Sequence, residues 1–490
     1  MVSTIRVRPA PSESTRPPTV PPPSFQRDAC PWRRAFRVLL VIIRNVFFCS
    51  IVAWATAFLT SRGNFFSPQS PESQPHHEFV LACVLLMHLV ACLADTLIIS
   101  FRLTAMRFVA FNNARQGFHY SFRRVAIASA FHFILSTLLV FGTACICTIL
   151  LPQLDPIKLI FYLLILVKQY YFVACELCMK RIYRTETVEG LEKTQVRRDK
   201  ASAIGPQRPR QSSLPCYITE LFRAYLKSGP LILSTLAAGG YVHAVTQLDL
   251  SAGFAATVFV GCSLVFELTL QEICKTYLQC LRVTQLRHMC VIVGVPTVLI
   301  DTQVRVVVLC LRNAQSTVVG TYALAVIEIC ARVSKALIVS AIIRRKRQRF
   351  FRERSLPFVA SRTQTLSTFT QWEKQARDLH TAECVADMYA EYIAISCSAA
   401  IAFFYFNSSQ YAVGGAAFSA IAGPDVHTQL RVLLLQVGVE IIVDYLACVM
   451  EMYSGVFTRD VDHLGTFLGS LFAFLTITNI NMSAMLYMRS

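Results

Sequence analysis

Residues 79–101 read FVLACVLLMHLVACLADTLIISF, and this stretch decides the class of fold. It carries one formal charge, Asp95. The hydrocarbon core of a bilayer is about 30 Å thick and a helix rises about 1.5 Å per residue, so about 20 mostly apolar residues cross it. Comparable runs fall at roughly 36–60, 126–151, 157–179, 229–247, 252–274, 289–310, 320–343, 388–406, 429–453 and 465–487. They predict an all-α, polytopic transmembrane helix bundle of about 10–11 spans. Gly239, Gly240 and His243 weaken the span 229–247, and Asp301 and Arg305 interrupt 289–310. The stretch Tyr411–Gly423 is apolar but short, and reads as a re-entrant or surface segment.

Composition agrees. Of 490 residues 54% are hydrophobic and 16% charged, and the mean hydropathy is +0.49. A soluble domain carries about 25% charge. The net charge of +18 comes from 47 Lys and Arg against 29 Asp and Glu. In a soluble chain that excess would suggest nucleic acid. Here the basic residues lie between apolar runs, so the expected partners are the bilayer and its anionic headgroups, with no nucleic acid.

The loops test the map. Basic residues collect in the N-terminal tail, after the second run (Arg102, Arg107, Arg115, Arg123, Arg124), in 180–228, after the sixth run (Lys275, Arg282, Arg287) and in 344–354. The intervening loops 61–78, 152–156, 248–251, 311–319 and 407–428 are poor in them. Strict alternation places the N-terminus in the cytoplasm. Asn407-Ser408-Ser409 is then a glycosylation sequon on the outer side.

Six segments follow from this reading. Residues 1–34 form a Pro- and Arg-rich disordered tail that precedes a retained first anchor. Residues 35–179 hold a first group of about four spans, and 180–228 a basic linker. Residues 229–343 hold a second group of about four spans, 344–387 a basic cytoplasmic segment, and 388–490 a final group of about three. Arg344, Arg345, Lys346, Arg347 and Arg349 directly follow a span. Stop-transfer accounts for them, with anionic headgroup binding as an added role.

Charges inside the apolar runs are the best functional pointers, because each costs about 2.5–3.5 kcal/mol near the bilayer centre. Asp95 shares a stripe with His88 and Arg102. Asp301 and Arg305 stand four apart with opposite charge, as do Glu328 and Arg332, and local neutralisation is the expectation for both pairs. Glu267 and Gln271 share a face. Glu440 and Asp444 are like charges four apart, so either a basic group from another helix meets them or one is protonated. These eight ionisable side chains (Glu440, Asp444, Glu328, Arg332, Asp301, Arg305, Glu267 and Asp95) are the candidate pathway for an ion or small solute. Gly465 and Gly469 form a GxxxG, read as internal helix packing.

There is no GxxxxGK[ST], HExxH, GxSxG or dinucleotide fingerprint. The lone Cys175-x-x-Cys178 has no second ligand pair, and His88 and His132 are isolated, so no metal site, cofactor or catalysis is expected. The leading expectation is a transporter or permease. The alternative is a receptor or scaffold acting through its basic cytoplasmic loops.

Overall fold

The computed structural model describes residues 30–202, 214–246, 253–280, 285–310, 314–354, 362–406, 408–413, 426–457 and 464–489. Most of the Pro- and Arg-rich tail, Asn407 and most of Tyr411–Gly423 lie outside these residues. The chain is a helix bundle. In order the helices are α1 (Pro31–Ser61), α2 (His76–Thr104), α3 (Phe118–Cys145), α4 (Leu159–Glu186), α5 (Val188–Ser202), α6 (Leu214–Lys227) and α7 (Gly229–Thr246). They continue with α8 (Gly253–Cys280), α9 (Leu286–Cys310), α10 (Ala314–Arg354), α11 (Arg362–Tyr405), α12 (Val426–Tyr453) and α13 (Gly465–Tyr487). Sheet among the described residues is a two-residue antiparallel pairing, Arg107–Phe108 with Ala114–Arg115.

Among the described residues eight helices are long and apolar enough to cross a membrane: α1, α2, α3 extended to Leu150, α4, α13, and parts of α9, α11 and α12. The chain is therefore a multi-pass membrane protein. The runs expected at 229–247, 252–274 and 320–343 are the helices α7, α8 and α10, which fall outside those eight. Helix α11 starts at Arg362, so the segment expected as cytoplasmic up to residue 387 enters the bundle well before that boundary.

Helix α3 shows lipid acting as the solvent. It buries Ser121, Ser129, His132 and Ser136 and exposes Ile127, Phe131, Ile134 and Leu138. In water that arrangement would leave several large apolar side chains unburied, at about 1.5–3 kcal/mol each. In hydrocarbon the polar stripe must turn inward and the apolar face outward. Helix α1 follows the same rule with Phe36, Leu40, Phe47 and Ile51 exposed.

Two packed groups result. Helices α2, α3 and α4 surround Cys92, Ile99, Val125, Tyr171 and Cys175. Arg107 and Arg124 tie this group to Glu189 and Glu186, at 2.9 and 2.5 Å. The larger group is built on α1, α9, α11 and α13, with α8, α10 and α12 alongside. Its centre stacks Tyr389 on Phe472 at 4.2 Å. The GxxxG pair packs inside the chain: the Asn45 amide donates to Gly465 O at 2.8 Å, and a Cβ at Gly469 would sit 3.1 Å from Asn45 Cγ. A Cβ at either glycine would force its α1 neighbour to give by a few tenths of an ångström, so the glycines favour this close approach of α13 to α1.

Candidate polar site within the helix bundle

The site begins on α11. His380, Glu383, Cys384, Asp387 and Glu391 recur at spacings of three and four, so one face of the helix carries them all. A helix with such a stripe inside a membrane protein must aim it at protein or at water. Here the stripe meets α8, α9, α10 and α12.

Helices α8, α9 and α10 each supply a cation, and α12 adds further carboxylates. Lys275 of α8 and Lys335 of α10 donate to the same Glu383 carboxylate at 3.1 and 3.0 Å. Gln271 of α8 donates to Asp387 at 3.0 Å and to Thr297 of α9 at 3.2 Å. Thr297 follows Pro296, which lies inside α9 and cannot donate to the carbonyl four residues back. Arg305 of α9 donates to Glu440 of α12 at 2.7 Å, with Asp301 one turn away at 3.8 Å. Arg332 of α10 pairs with Asp444 and, at 3.2 Å, with Glu451, both on α12.

The sequence-predicted residues thus divide. Glu440, Asp444, Arg332, Asp301, Arg305 and Glu267 come together, Glu267 through Gln271 at 3.5 Å. The expectation that a basic group from another helix meets Glu440 and Asp444 is met twice, by Arg305 and by Arg332. Arg305 makes its short contact across to α12, so local neutralisation with Asp301 is the lesser part of its pairing. The Glu328 side chain lies outside the described residues. Asp95 is buried between α2 and its neighbours and does not join this layer. Lys275, Glu383, Asp387, Glu391 and Glu451 were missed as pathway residues. The three- and four-residue spacing on α11 was the available signal.

Accessibility sorts the layer into two tiers. Arg332 is 4% exposed and Asp444 and Glu451 are 0% exposed, a dry cluster. Arg305, Asp301 and Lys335 keep 19%, 21% and 29% of their side-chain surface, and Glu267, Asp387 and Glu391 are also partly exposed. Charge is unequal as well. Glu267, Asp301, Glu383 and Asp387, with Glu391, Glu440, Asp444 and Glu451, face Lys275, Arg305, Arg332 and Lys335. Among the described residues named here, that is eight acids to four bases. One oxygen each of Asp301, Glu440, Asp444 and Glu451 is buried without a hydrogen-bond partner.

The other expectations fall outside this layer. Arg344, Arg345, Lys346, Arg347 and Arg349 are exposed on the last turns of α10. Arg347 pairs with Glu373 at 2.5 Å, and Lys346 lies 3.7 Å over the Trp372 ring, so α10 and α11 continue together past the apolar region. Cys175 and Cys178 are buried, and the Cys178 thiol donates to Ala128 O at 3.3 Å, a packing role. His132 bridges the Tyr170 and Tyr217 hydroxyls at 2.7 and 2.8 Å. Burial pushes the Tyr217 hydroxyl up to about 12. Comparison with protein-family models, curated proteins and solved structures finds no match to this chain.

Proposed function

We propose that this multi-pass membrane protein is a transporter whose cargo or coupling ion is a cation, handled by the acid-rich layer between α8 and α12. The observation that carries the reading is the excess of carboxylates on partly accessible faces of membrane-embedded helices. Unpaired negative charge in a low-dielectric layer is costly, and protons or a cation remove that cost. Asp387 and Asp301 are the exchangeable acids in this reading. Arg332, Asp444 and Glu451 hold α10 to α12. The basic turns Arg344–Arg349 and the N-terminus belong on the cytoplasmic side, the former against anionic headgroups.

The dry Arg332 cluster favours a second reading, a receptor or scaffold in which buried pairs only lock helices together. Reconstitution into liposomes separates the two. A transporter of this design carries monovalent cations or protons down an imposed gradient and excludes anions of similar size, and Glu440→Gln lowers the rate at least tenfold. A tight, non-conducting proteoliposome for every cation tried sinks the transport reading.

A further inference from the structure

Beside the cation layer lies a set of groups with different chemistry. One ring nitrogen of His380, Sγ of Cys384 and a carboxylate oxygen of Glu451 lie within 4.8 Å of one another. All three residues are buried, at 3%, 3% and 0% exposed. We propose that His380, Cys384 and Glu451 form a binding site for a borderline divalent metal ion of the zinc(II) class, joining α11 to α12. The proposal stands whether or not the chain transports.

Geometry comes first. His380 and Cys384 are four apart on α11 and so project from one face. Their Nε2 and Sγ atoms are 3.5 Å apart. Two ligands at Zn–N of about 2.0 Å and Zn–S of about 2.3 Å span about 3.6 Å across a tetrahedron. The pair already has that separation. Glu451 closes the set from α12. Its Oε1 is held by Arg332 at 3.2 Å, while its Oε2 is buried and has no hydrogen-bond partner. Nδ1 of His380 is likewise buried without one. An unpartnered carboxylate oxygen beside a thiol and an imidazole is costly in a dry core, and a metal ion bound at Oε2 removes that cost.

Charge points the same way. Arg332, Asp444 and Glu451 together carry one negative charge when ionised. Binding a divalent ion breaks the Cys384 S–H bond, forms a sulfur–metal bond and releases the proton to water. The ion adds two positive charges and the thiolate one negative, so the loaded cluster is neutral. Neutrality is the favoured state for a cluster removed from solvent. Imidazole, thiolate and carboxylate in one set select a borderline ion such as zinc(II) over magnesium or calcium. Three protein ligands leave a fourth position for water or another group.

The test uses the full chain purified in detergent, stripped with chelator and loaded with zinc(II) or cobalt(II). The parent retains about one equivalent of zinc through desalting, and its cobalt form shows thiolate-to-cobalt charge-transfer absorption. Cys384→Ser and His380→Gln weaken zinc binding at least tenfold and abolish that absorption. Cys397→Ser, at a buried thiol farther along the same helix, leaves both unchanged. The parent spectrum does not depend on any variant folding. A parent with no thiolate band, zinc lost on desalting, or equal zinc in Cys384→Ser overturns the site.

Discussion

Replacing Arg332 with methionine is the most demanding perturbation of the dry cluster. Methionine fills much of the arginine stem's volume but leaves Asp444 and Glu451, both 0% exposed, with no cation on that side. Breaking a buried pair by removing one partner costs about 3–5 kcal/mol. The triple variant Arg332→Met, Asp444→Asn, Glu451→Gln removes all three charges and should recover most of the loss, because a neutral cluster carries no desolvation penalty of that kind. Apparent melting temperature in detergent, followed by loss of the monodisperse peak in the presence of chelator, reads the series. The order expected is parent, then triple variant, then Arg332→Met well below both. An Arg332→Met protein as stable as the parent would refute the view that this cluster holds α10 to α12.

Further outcomes follow from other contacts. Gly469→Val should cost about 1–3 kcal/mol, since Asn45 is fixed by bonds to Tyr389 and Gly465 and cannot yield to a new side chain; an unchanged melting temperature would contradict the α1–α13 contact. Gly63 sits at φ +64 with the Phe79 ring against its missing Cβ, so Gly63→Ala should lower stability by at least about 1–2 kcal/mol, read in the same assay. The Glu189 carboxyl is held below its ordinary range by the hydrogen bond from Arg107. Its contribution is therefore complete above the ordinary glutamate value of about 4.3 and is lost as pH falls through the lower folded value. Hydrogen exchange in α5 should rise on acidification through that window, and Glu189→Gln should remove the pH dependence.

Much of the bundle was legible because lipid enforces a simple rule. A run such as 79–101 has few stable places outside a membrane, and its helix α2 spans His76–Thr104 as the run implies. The GxxxG at Gly465 and Gly469 also read correctly as an internal contact. Helix α11 was less legible. Its middle carries His380, Glu383, Asp387 and Glu391 at helical spacing, which by itself describes a solvated surface helix equally well. Lys275 and Lys335 on neighbouring helices pair with Glu383 of that stripe and Gln271 donates to Asp387, and pairing between helices far apart in sequence leaves no local trace. Glu451 lies on the same face of its run as Glu440 and Asp444, a spacing the sequence shows, but its partner Arg332 comes only from the packing of α10. Burial of Asp444 against Arg332 makes its neutralisation costly to stability, which its position in the sequence does not reveal.

Cation uptake by proteoliposomes carrying Asp387→Asn tests the central claim most directly. Asp387 is partly exposed, accepts from Gln271 and lies outside the dry Arg332 cluster. Asparagine keeps its shape and its acceptor oxygen, so the fold should survive. Parent-like melting with cation flux reduced at least tenfold is the expected result. Parent-like melting with parent-like flux would place the transported ion elsewhere and contradict the account.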